Sequence, residues 1–276
     1  MRKSFNIKEI EILKNYVDED VYGRLLVSRH ACFALENGSY LIAFHFCNIK
    51  SPAHKEEKVC LYCSTKDFLL VTGDEHCKKI FDQLEGNADN FTLLLRFFLA
   101  LTVNDVFDLE KIEDGITALE DNLLIEKSMK SYRASQIIGL RRELLRMKRY
   151  YEQLSLLSRQ LTENELNAFP KDLLKKYFSL DRRISYLLNF VLHLREYVTQ
   201  VREAYQAQID IEQNQIMRVF TVITTVFLPL TLIVGWFGMN LKMPEYSWSF
   251  GYLYVIILSI ACCIASIVFF KIKKWF

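Results

Sequence analysis

"VFTVITTVFLPLTLIVGWFGMNL", residues 219–241, contains no charged side chain. A second uncharged run, "SWSFGYLYVIILSIACCIASIVFF", follows at residues 247–270. Each run is longer than the roughly 20 residues that an α-helix needs to cross the ~30 Å hydrocarbon core of a bilayer. Residues 1–216 instead mix charged and apolar residues as a soluble protein does. The sequence therefore predicts a large N-terminal domain followed by a membrane hairpin of two helices, against the alternative of a soluble protein that buries both.

The charges that flank the two runs predict the orientation of the hairpin. Arg218 precedes the first run and the basic ending "KIKKWF" follows the second, whereas the loop between them has only Lys242 and Glu245. Because cytosolic flanks are enriched in Lys and Arg, both termini are expected in the cytosol. The N-terminal stretch "MRKSFNIKEIEILKNYV" lacks the continuous apolar core of a secretory signal. We therefore expect a multi-pass protein of the cell (inner or plasma) membrane whose large domain stays in the cytosol.

The predicted organisation has six parts. They are a cytosolic α/β and helical domain at residues 1–170, a stalk at 171–216, a first transmembrane helix at 217–240, an extracytoplasmic loop at 241–249, a second transmembrane helix at 250–270 and a basic cytosolic tail at 271–276.

β-rich segments punctuated by Gly38 and Gly73 predict strands near the N-terminus. The expected strands are residues 29–35, 40–48, 58–64 and 68–72. A helix is expected over residues 73–84, with Asp74 as its N-cap. From Asp89 onward the pattern is almost wholly helical. The predicted fold class is an α+β cytosolic domain with long helices, followed by the two-helix transmembrane hairpin.

The stretch from Lys171 to Phe237 predicts one very long helix. No glycine interrupts it before Gly235, and apolar residues recur at helical spacing. The recurring positions are Leu187, Leu188, Val191, Leu192, Leu194, Tyr197, Val198, Val201, Tyr205 and Ile209. A helix of ~60 residues would be ~90 Å long at ~1.5 Å per residue, which is more than a globular domain needs. Pro229 lies in its membrane part, where a local rearrangement of the backbone is tolerated.

The motif "CLYC" (Cys60 and Cys63) has the spacing of zinc ligands, and His54, His76 and Cys77 are near it in sequence. There is no second CxxC motif, and residues i and i+3 of a strand point to opposite faces. A cytosolic domain would keep its thiols reduced. Buried free thiols are therefore favoured over a metal site.

The first membrane run has one face of small or weakly polar residues. Met217, Thr224, Leu228, Thr231 and Gly235 follow one another at spacings of 7, 4, 3 and 4, which places them on a single helix face. Such a stripe indicates either tight helix packing or the lining of a pore. A two-helix hairpin cannot enclose a water-filled path alone, so a pore requires several copies around an axis, and its wall would be mostly neutral.

A neutral wall suits a cation that keeps its water shell. Mg²⁺ dehydrates reluctantly and usually retains several waters, whereas a dehydrated ion needs oxygen ligands or charges along its path. At the end of the run, the amide of Asn240 and the backbone carbonyls near Gly238 would accept hydrogen bonds from coordinated water, with Met239 as a packing residue. The alternative is that Gly238 and Asn240 only terminate the helix, as Gly and Asn often do.

The segment "FLPLTLIVGWFGMNLKMPEYSW" (residues 227–248) closely resembles the signature of the CorA magnesium transporter family. That family has a Gly-Met-Asn motif at the end of its first transmembrane helix, then a short loop with Met-Pro-Glu and a second helix with a basic tail. Here Met243, Pro244 and Glu245 match the loop, Asn214 matches an upstream asparagine, and Phe237 replaces the usual Tyr. The strong resemblance covers residues 200–276, and the remainder is similar more loosely.

The resemblance implies a funnel-shaped homopentamer in which the first transmembrane helices line one pore. It implies a selectivity filter at Gly238, Met239 and Asn240, with Glu245 in the extracytoplasmic loop and Glu203 at the cytosolic mouth. It implies pore-lining positions at Met217, Phe220, Thr224, Leu228, Thr231 and Gly235. Phe220 and Leu228 would form a hydrophobic constriction that gates by dewetting. The stalk start "KKYFSLDRR" offers only Asp181 as a regulatory metal ligand.

The expected function is channel-like transport of hydrated divalent cations, mainly Mg²⁺ and also Co²⁺ or Ni²⁺, with the lipid bilayer and copies of the same chain as partners. One alternative is a zinc transporter of the ZntB type, against which "GMNLKMPE" argues. The other is a non-conducting, membrane-anchored scaffold or sensor. No nucleophile motif or phosphate-binding glycine loop indicates an enzyme or an organic cofactor. Basic and aromatic residues are not interleaved as in proteins that bind nucleic acid.

Overall fold

The computed structural model describes residues 2–50, 56–84, 88–125, 130–239 and 248–273. The chain divides into two compact units, residues 1–202 and residues 203–276. In chain order the first unit contains β1 (Arg2–Phe5), a 3-10 helix (Ile7–Asn15), α1 (Glu19–Val27), β2 (Ala31–Leu35), β3 (Ser39–Phe46), β4 (Glu57–Cys63), β5 (Phe68–Thr72), α2 (Glu75–Asp82), α3 (Asn90–Leu101), α4 (Asp105–Ile125) and α5 (Lys130–Glu163). The helix α6 (Lys171–Phe237) begins in the first unit and continues into the second, which also contains α7 (Gly251–Ile272).

The five strands form one mixed sheet in the order β1-β5-β4-β3-β2. Neighbouring strands from β2 to β5 are antiparallel, and β1 is parallel to β5. Strands β3, β4 and β5 are buried almost throughout, because helical segments pack on the sheet from both sides. A strand that is covered on both faces has a continuous apolar sequence, as "SYLIAFHF" and "FLLVT" do.

All four expected strands are present, with ends that differ from the expectation by one or two residues. The strand β1 is an addition that the sequence did not predict, since "RKSF" is short and mostly polar. It forms because β5 presents an open edge, along which Arg2–Phe5 pair in parallel with Phe68–Val71.

The core of the first unit lies on both faces of the sheet. On one face, a cluster that includes Leu13, Leu25 and Leu41 joins the 3-10 helix and α1 to the strands. On the other, the ring of Phe68 lies 4.9 Å from that of Phe81 in α2, centre to centre. Complete burial of a large apolar side chain is worth ~1.5–3 kcal/mol, so this two-sided core is the main source of the unit's stability.

Acidic side chains cap the helices that follow the sheet. The carboxylate of Asp74 accepts a hydrogen bond from the backbone N–H of Cys77 at 2.8 Å, which confirms the predicted N-cap of α2. Asp89 caps α3 in the same way, accepting from the N–H of Thr92 at 3.0 Å. Each cap satisfies a backbone donor that has no partner within its helix.

The long helix is confirmed: α6 spans Lys171–Phe237, the stretch that the sequence predicted, and contains 67 residues. In the first unit its buried residues alternate at spacings of four and three. They are Leu173, Tyr177, Leu180, Ile184, Leu187, Val191, Leu194, Val198 and Val201. Leu192, which was expected on this face, is instead 38% exposed, because it lies to one side of the buried row. The row is the surface by which α6 packs in the first unit.

The second unit exposes its apolar side chains. The most apolar 18-residue windows of α6 and α7 are 0% and 6% buried within the chain. In water such exposure costs about 25 cal/mol per Å² of apolar surface, whereas in a bilayer it costs nothing. This exposure disagrees with the alternative of a soluble protein that buries both helices, and it agrees with two membrane-spanning helices.

Gly235 and Gly238, near the end of α6, differ in the space available for a side chain. This difference provides a test of how the helix ends. A Cβ atom at Gly238 would lie 2.8 Å from the carbonyl oxygen of Val234, whereas one at Gly235 would have no heavy atom within 4 Å. We expect Gly238→Ala to destabilise the protein by about 1–3 kcal/mol through strain, and Gly235→Ala to leave it unchanged or slightly more stable through higher helix propensity. Thermal unfolding in detergent, followed by tryptophan fluorescence, compares the two variants. Equal melting temperatures would contradict this account of the helix end.

Asp105, the first residue of α4, is a buried carboxyl that is only 7% exposed. Burial raises its pKa to about 6, the hydrogen bond from Tyr151 opposes that rise, and the nearby charge of Asp108 adds to it. The Tyr151 hydroxyl donates to Oδ2 of Asp105 at 2.7 Å. The unfolded chain has a pKa near ~3.9 at this residue. The stability contributed by Asp105 is therefore fully present below about pH 4 and is lost as the pH rises through about 6.

Asp105→Asn cannot ionise, so it should remove this pH dependence. Relative to wild type, we expect the variant to gain about 2 kcal/mol more in free energy of unfolding at pH 7 than at pH 4.5. Denaturant unfolding of both proteins at the two pH values measures the difference, in which the contributions of the other carboxyls cancel. Tyr151→Phe should shift the pH-dependent loss to higher pH. An equal gain for Asp105→Asn at both pH values would show that burial does not control this carboxyl.

Candidate functional site

Every seventh residue of α6 from Glu203 onward lies on an exposed line of the helix, termed the seven-residue repeat. Seven residues of α-helix turn through about 700°, which returns the chain to nearly the same face. The exposed residues at this spacing are Glu203, Asp210, Met217, Thr224, Thr231 and Gly238. Leu228 and Gly235 each follow a threonine of the repeat by four residues, and Phe220 precedes Thr224 by four, so all three lie beside the same line.

The threonine hydroxyls on this helix all donate hydrogen bonds to the helix itself. Thr224 donates to the carbonyl of Phe220 at 2.8 Å, and Thr231 donates to the carbonyl of Phe227 at 2.9 Å. A hydroxyl has a single proton but two lone pairs. With the proton used inside the helix, the oxygens of Thr224 and Thr231 can act only as acceptors toward anything that lies against this face.

A groove of about 810 Å³ runs along this face. It brings together five of the predicted site residues, which are Thr224, Leu228, Thr231, Gly235 and Met239. The predicted positions Met217 and Phe220 are exposed but do not line the groove. The flanking residues Ile223, Phe227, Leu232 and Trp236 also line it and were not predicted. They could have been found from their positions one residue, or one helical turn, from the stripe.

At the C-terminal end of α6, the helix changes to a tighter turn. The N–H of Gly238 donates to the carbonyl of Val234 at 2.8 Å, and the N–H of Met239 donates to that of Trp236 at 3.4 Å. Met239 is 46% exposed. The remaining predicted filter residue, Asn240, and the loop residue Glu245 lie outside the described residues.

Asp210 is a candidate site residue that the sequence analysis did not name. It lies midway between Glu203 and Met217 in the seven-residue repeat, and that spacing is the signal that could have found it. The side-chain amide of Gln206 donates to its Oδ1 at 3.0 Å, which orients the carboxylate. Both Glu203 and Asp210 are exposed, so the repeat begins with two acidic positions and continues with neutral ones.

Asp181, the predicted regulatory ligand, lies in the first unit and has a protein partner. The hydroxyl of Ser158 in α5 donates to its Oδ1 at 2.5 Å. Two residues further on, Arg183 donates to the carbonyls of Thr102 and Val103, at 2.7 and 3.1 Å, just after α3 ends. These contacts attach this part of α6 to α5 and to the end of α3.

The "CLYC" cysteines behave as buried thiols. Burial raises the pKa of Cys60 to about 12, and burial also raises the pKa of Cys63 well above its usual range. A metal requires the thiolate, and the two residues differ by three along β4, so they point to opposite faces of the sheet. In the part of the chain that the structure describes, no three His, Cys, Asp or Glu side chains come together as potential metal ligands.

The first unit has the fold of known cation transporters, and so does the chain as a whole. The complete CorA magnesium transporter of Methanocaldococcus jannaschii superposes with a TM-score of 0.81 at 19% identity, covering 99% of this chain and 90% of that one. The cytoplasmic domain of ZntB from Vibrio parahaemolyticus gives a TM-score of 0.58 at 14% identity, over 72% of this chain and 82% of that one. At such identities the likeness is one of fold alone.

Other relatives are more similar to this chain in sequence than these two structures are. The cobalt/magnesium transport protein CorA of Thermotoga maritima is 31% identical over 191 residues, which are 66% of this chain and 52% of that protein. The chain thus aligns with about half the length of this relative. The sequence model of the family described as "CorA-like Mg2+ transporter protein" matches residues 12–274. This match covers nearly the whole chain, including the exposed repeat of α6, and the protein therefore belongs to the CorA-like Mg²⁺ transporter family.

Proposed function

We propose that this protein conducts hydrated divalent cations, mainly Mg²⁺ and also Co²⁺ or Ni²⁺, across the cell membrane through a pore built from several copies. The observation on which the proposal rests is the exposed seven-residue repeat of α6, from Glu203 to Gly238. A single chain leaves this face open, so the repeat has a use only when copies of the helix surround an axis. The names of the relatives support the choice of ion, and five is the copy number that the family resemblance implies.

The neutral part of the repeat suits an ion that keeps its inner water shell. Water bound to Mg²⁺ presents its hydrogens outward, so the wall must supply acceptors. Thr224 and Thr231 are acceptors only, because their protons are donated to the helix. Rings of such oxygens would bind the hydrated ion weakly enough to release it, as conduction requires.

The selectivity filter in this proposal is Gly238, Met239 and Asn240. The absence of a side chain at Gly238 lets α6 tighten its last turn against Val234. The amide of Asn240 then provides an oxygen acceptor for coordinated water, and Met239 packs beside it. Glu245, in the loop, adds negative charge on the outer side, which would concentrate cations there.

The resting barrier in this proposal is apolar. Met217, Phe220 and Leu228 are each about 60% exposed on the single chain. When copies surround an axis, rings of these side chains narrow the path and exclude water. Such a constriction closes by dewetting and needs no bound ion.

The two acidic positions, Glu203 and Asp210, form the cytosolic mouth. Five copies of each would give two rings of carboxylates that attract divalent cations before they meet the neutral wall. In this arrangement residues 1–170 and the stalk at 171–216 lie in the cytosol with both termini, and the loop at 241–249 lies outside. The basic flanks of the two spans support that orientation.

Asp181 has a structural role in this proposal and contributes little to regulation. Its carboxylate accepts a hydrogen bond from the Ser158 hydroxyl, and Arg182 and Arg183 follow it in the sequence. Positive neighbours weaken the attraction of a carboxylate for a divalent cation, since each unit charge at ~4 Å is worth several kcal/mol at an effective dielectric of ~20. Closure of the pore by internal Mg²⁺ would then need a different contact.

The central test is Mg²⁺ uptake by the full chain in liposomes that contain a magnesium-sensitive dye, at set membrane potentials. We expect Asn240→Ala to lower Mg²⁺ uptake at least tenfold, because a methyl group cannot accept a hydrogen bond from the ion's water shell. Asn189→Ala, the same change at an exposed position of α6 in the first unit, should transport as wild type does. Native mass spectrometry should find a pentamer for all three.

The same liposomes distinguish the alternatives. Zn²⁺ flux well above that of Mg²⁺, Co²⁺ and Ni²⁺ would favour a zinc transporter of the ZntB type. Absence of flux for every ion, with assembly intact, would favour a non-conducting scaffold or sensor. Wild-type uptake by Asn240→Ala would remove this residue from the filter.

A second test addresses the acidic mouth. We expect Asp210→Asn to lower Mg²⁺ flux several-fold at low ionic strength and at Mg²⁺ concentrations below saturation, because a ring of charges that concentrates the ion is lost. Salt at ~1 M should remove most of the difference, since the Debye length falls to ~3 Å. Glu212→Gln is the matched control, an acid two residues along the helix and therefore on nearly the opposite face. Equal losses in both variants would contradict a role for the repeat.

A further inference from the structure

The first unit contains a basic groove that the proposed ion pathway does not use. It lies between the segment before β2, α5 and α6, and its volume is about 490 Å³, within the range of small-molecule sites. Its polar lining consists of Arg29, His30, Arg149, Glu152, Gln153 and Arg159, together with Ser155. Leu156 and Leu188 form its apolar wall.

Hydrogen bonds to the sheet hold the lining of this groove in place. The backbone N–H of His45 in β3 donates to Oε1 of Gln153 at 2.9 Å, and the Gln153 amide donates to the carbonyl of Arg149 at 3.1 Å. The His45 ring is 2.9 Å from the carbonyl of Arg29, so Nδ1 carries the proton that this acceptor requires. One strand residue thus fixes both the backbone that precedes β2 and the middle of the α5 wall.

The charges of the groove are not balanced. Within the described residues, the guanidinium groups of Arg29, Arg149 and Arg159 have no ion pair or side-chain hydrogen bond with another residue. The one carboxylate in the lining, Glu152, is 2.8 Å from the ammonium of Lys148, which offsets its charge. Three unpaired guanidiniums therefore face a concave surface, and a cation would be repelled from it.

The spacing of the arginines indicates the shape of the ligand. Arg149 and Arg159 are ten residues apart on α5, and ten residues of helix advance ~15 Å. An extended anion with charge at more than one point could contact both arginines at once. Guanidinium groups bind phosphate oxygens through pairs of parallel hydrogen bonds. A chain of linked phosphates satisfies both requirements.

We propose that this groove binds the polyphosphate chain of a small molecule, which is either a nucleoside triphosphate or a free inorganic tripolyphosphate. Arg149 and Arg159 contact the two ends of the chain, and Arg29 contacts its middle from the opposite side. In a nucleotide, the base would lie on Leu156 and Leu188, the apolar part of the wall. The proposal concerns binding alone and does not depend on ion transport by the second unit.

Calorimetric titration of the full chain in detergent, in buffer free of divalent cations, tests this site with ATP, tripolyphosphate, phosphate and adenosine. We expect saturable binding of ATP and tripolyphosphate, and much weaker binding of phosphate and adenosine. Arg149→Gln and Arg159→Gln should each weaken binding roughly tenfold, because each removes charge-assisted hydrogen bonds. Arg142→Gln, at an exposed position of α5 outside the groove, should bind as wild type does. All three side chains are exposed, so the melting temperatures should agree.

The outcomes separate the two sources of polyphosphate. Similar affinities for ATP and tripolyphosphate support a site that recognises the chain alone, and a clear preference for ATP supports one that also contacts the nucleoside. Binding of adenosine without tripolyphosphate would overturn the proposal. So would the absence of saturable binding up to millimolar ligand, or an equal loss of affinity in Arg142→Gln.

Discussion

The continuity of α6 is the constraint on which the rest of this structure depends. Backbone N–H and C=O groups inside a bilayer have no water to bond with, so a spanning segment must satisfy them internally. A helix does so, and α6 does so over 67 residues, or about 100 Å at ~1.5 Å per residue. Pro229 removes one donor from this ladder and the helix nevertheless continues through it to Phe237. The hydroxyls of Thr225 and Thr231, which lie on either side of that proline in sequence, add hydrogen bonds to backbone carbonyls that precede it.

The helix α6 is exposed to two different solvents, and the residues on its surface differ accordingly. In the first unit, a row at alternating spacings of four and three, from Leu173 to Val201, is buried against the protein core. After Val201, α6 has no buried residue as far as Phe237, and an exposed repeat at seven-residue spacing begins at Glu203. Both patterns depend on the same near-coincidence between seven residues and two helical turns. The sequence can therefore place a buried packing surface and an exposed surface one after the other along one continuous backbone.

Polar groups in the two units follow different rules. In the first unit, several buried polar groups have protein partners: Asp105 accepts from Tyr151, and Tyr177 donates to the carbonyl of Phe91 at 2.8 Å. Such hydrogen bonds are important for stability, because a polar group that is buried without a partner raises the free energy of the folded state. On the exposed face of α6, by contrast, Thr224 and Thr231 use only their protons within the chain. Their lone pairs remain open, as an ion's water shell would require.

Much of this protein could be predicted from the sequence. Two long uncharged runs required two spans, the absence of glycine required one long helix from Lys171, and four of the five strands could be identified from β-rich segments. These features depend on local composition and periodicity, both of which can be read directly from the sequence. The family was indicated by the Gly-Met-Asn segment, and the stripe from Met217 to Gly235 was indicated by helical spacing.

Only the tertiary structure decided the features that depend on distant residues. β1 exists because β5 has a free edge, and "RKSF" has no strong strand signal of its own. Leu192 is apolar but exposed, because only a narrow row of residues on α6 is buried and Leu192 lies outside that row. Asp181 acquires Ser158 as a partner, and Arg29 joins two arginines of α5, more than a hundred residues away, only after the chain has folded. Sequence spacing specifies which residues share a helix face, but the neighbours of that face are set by long-range packing.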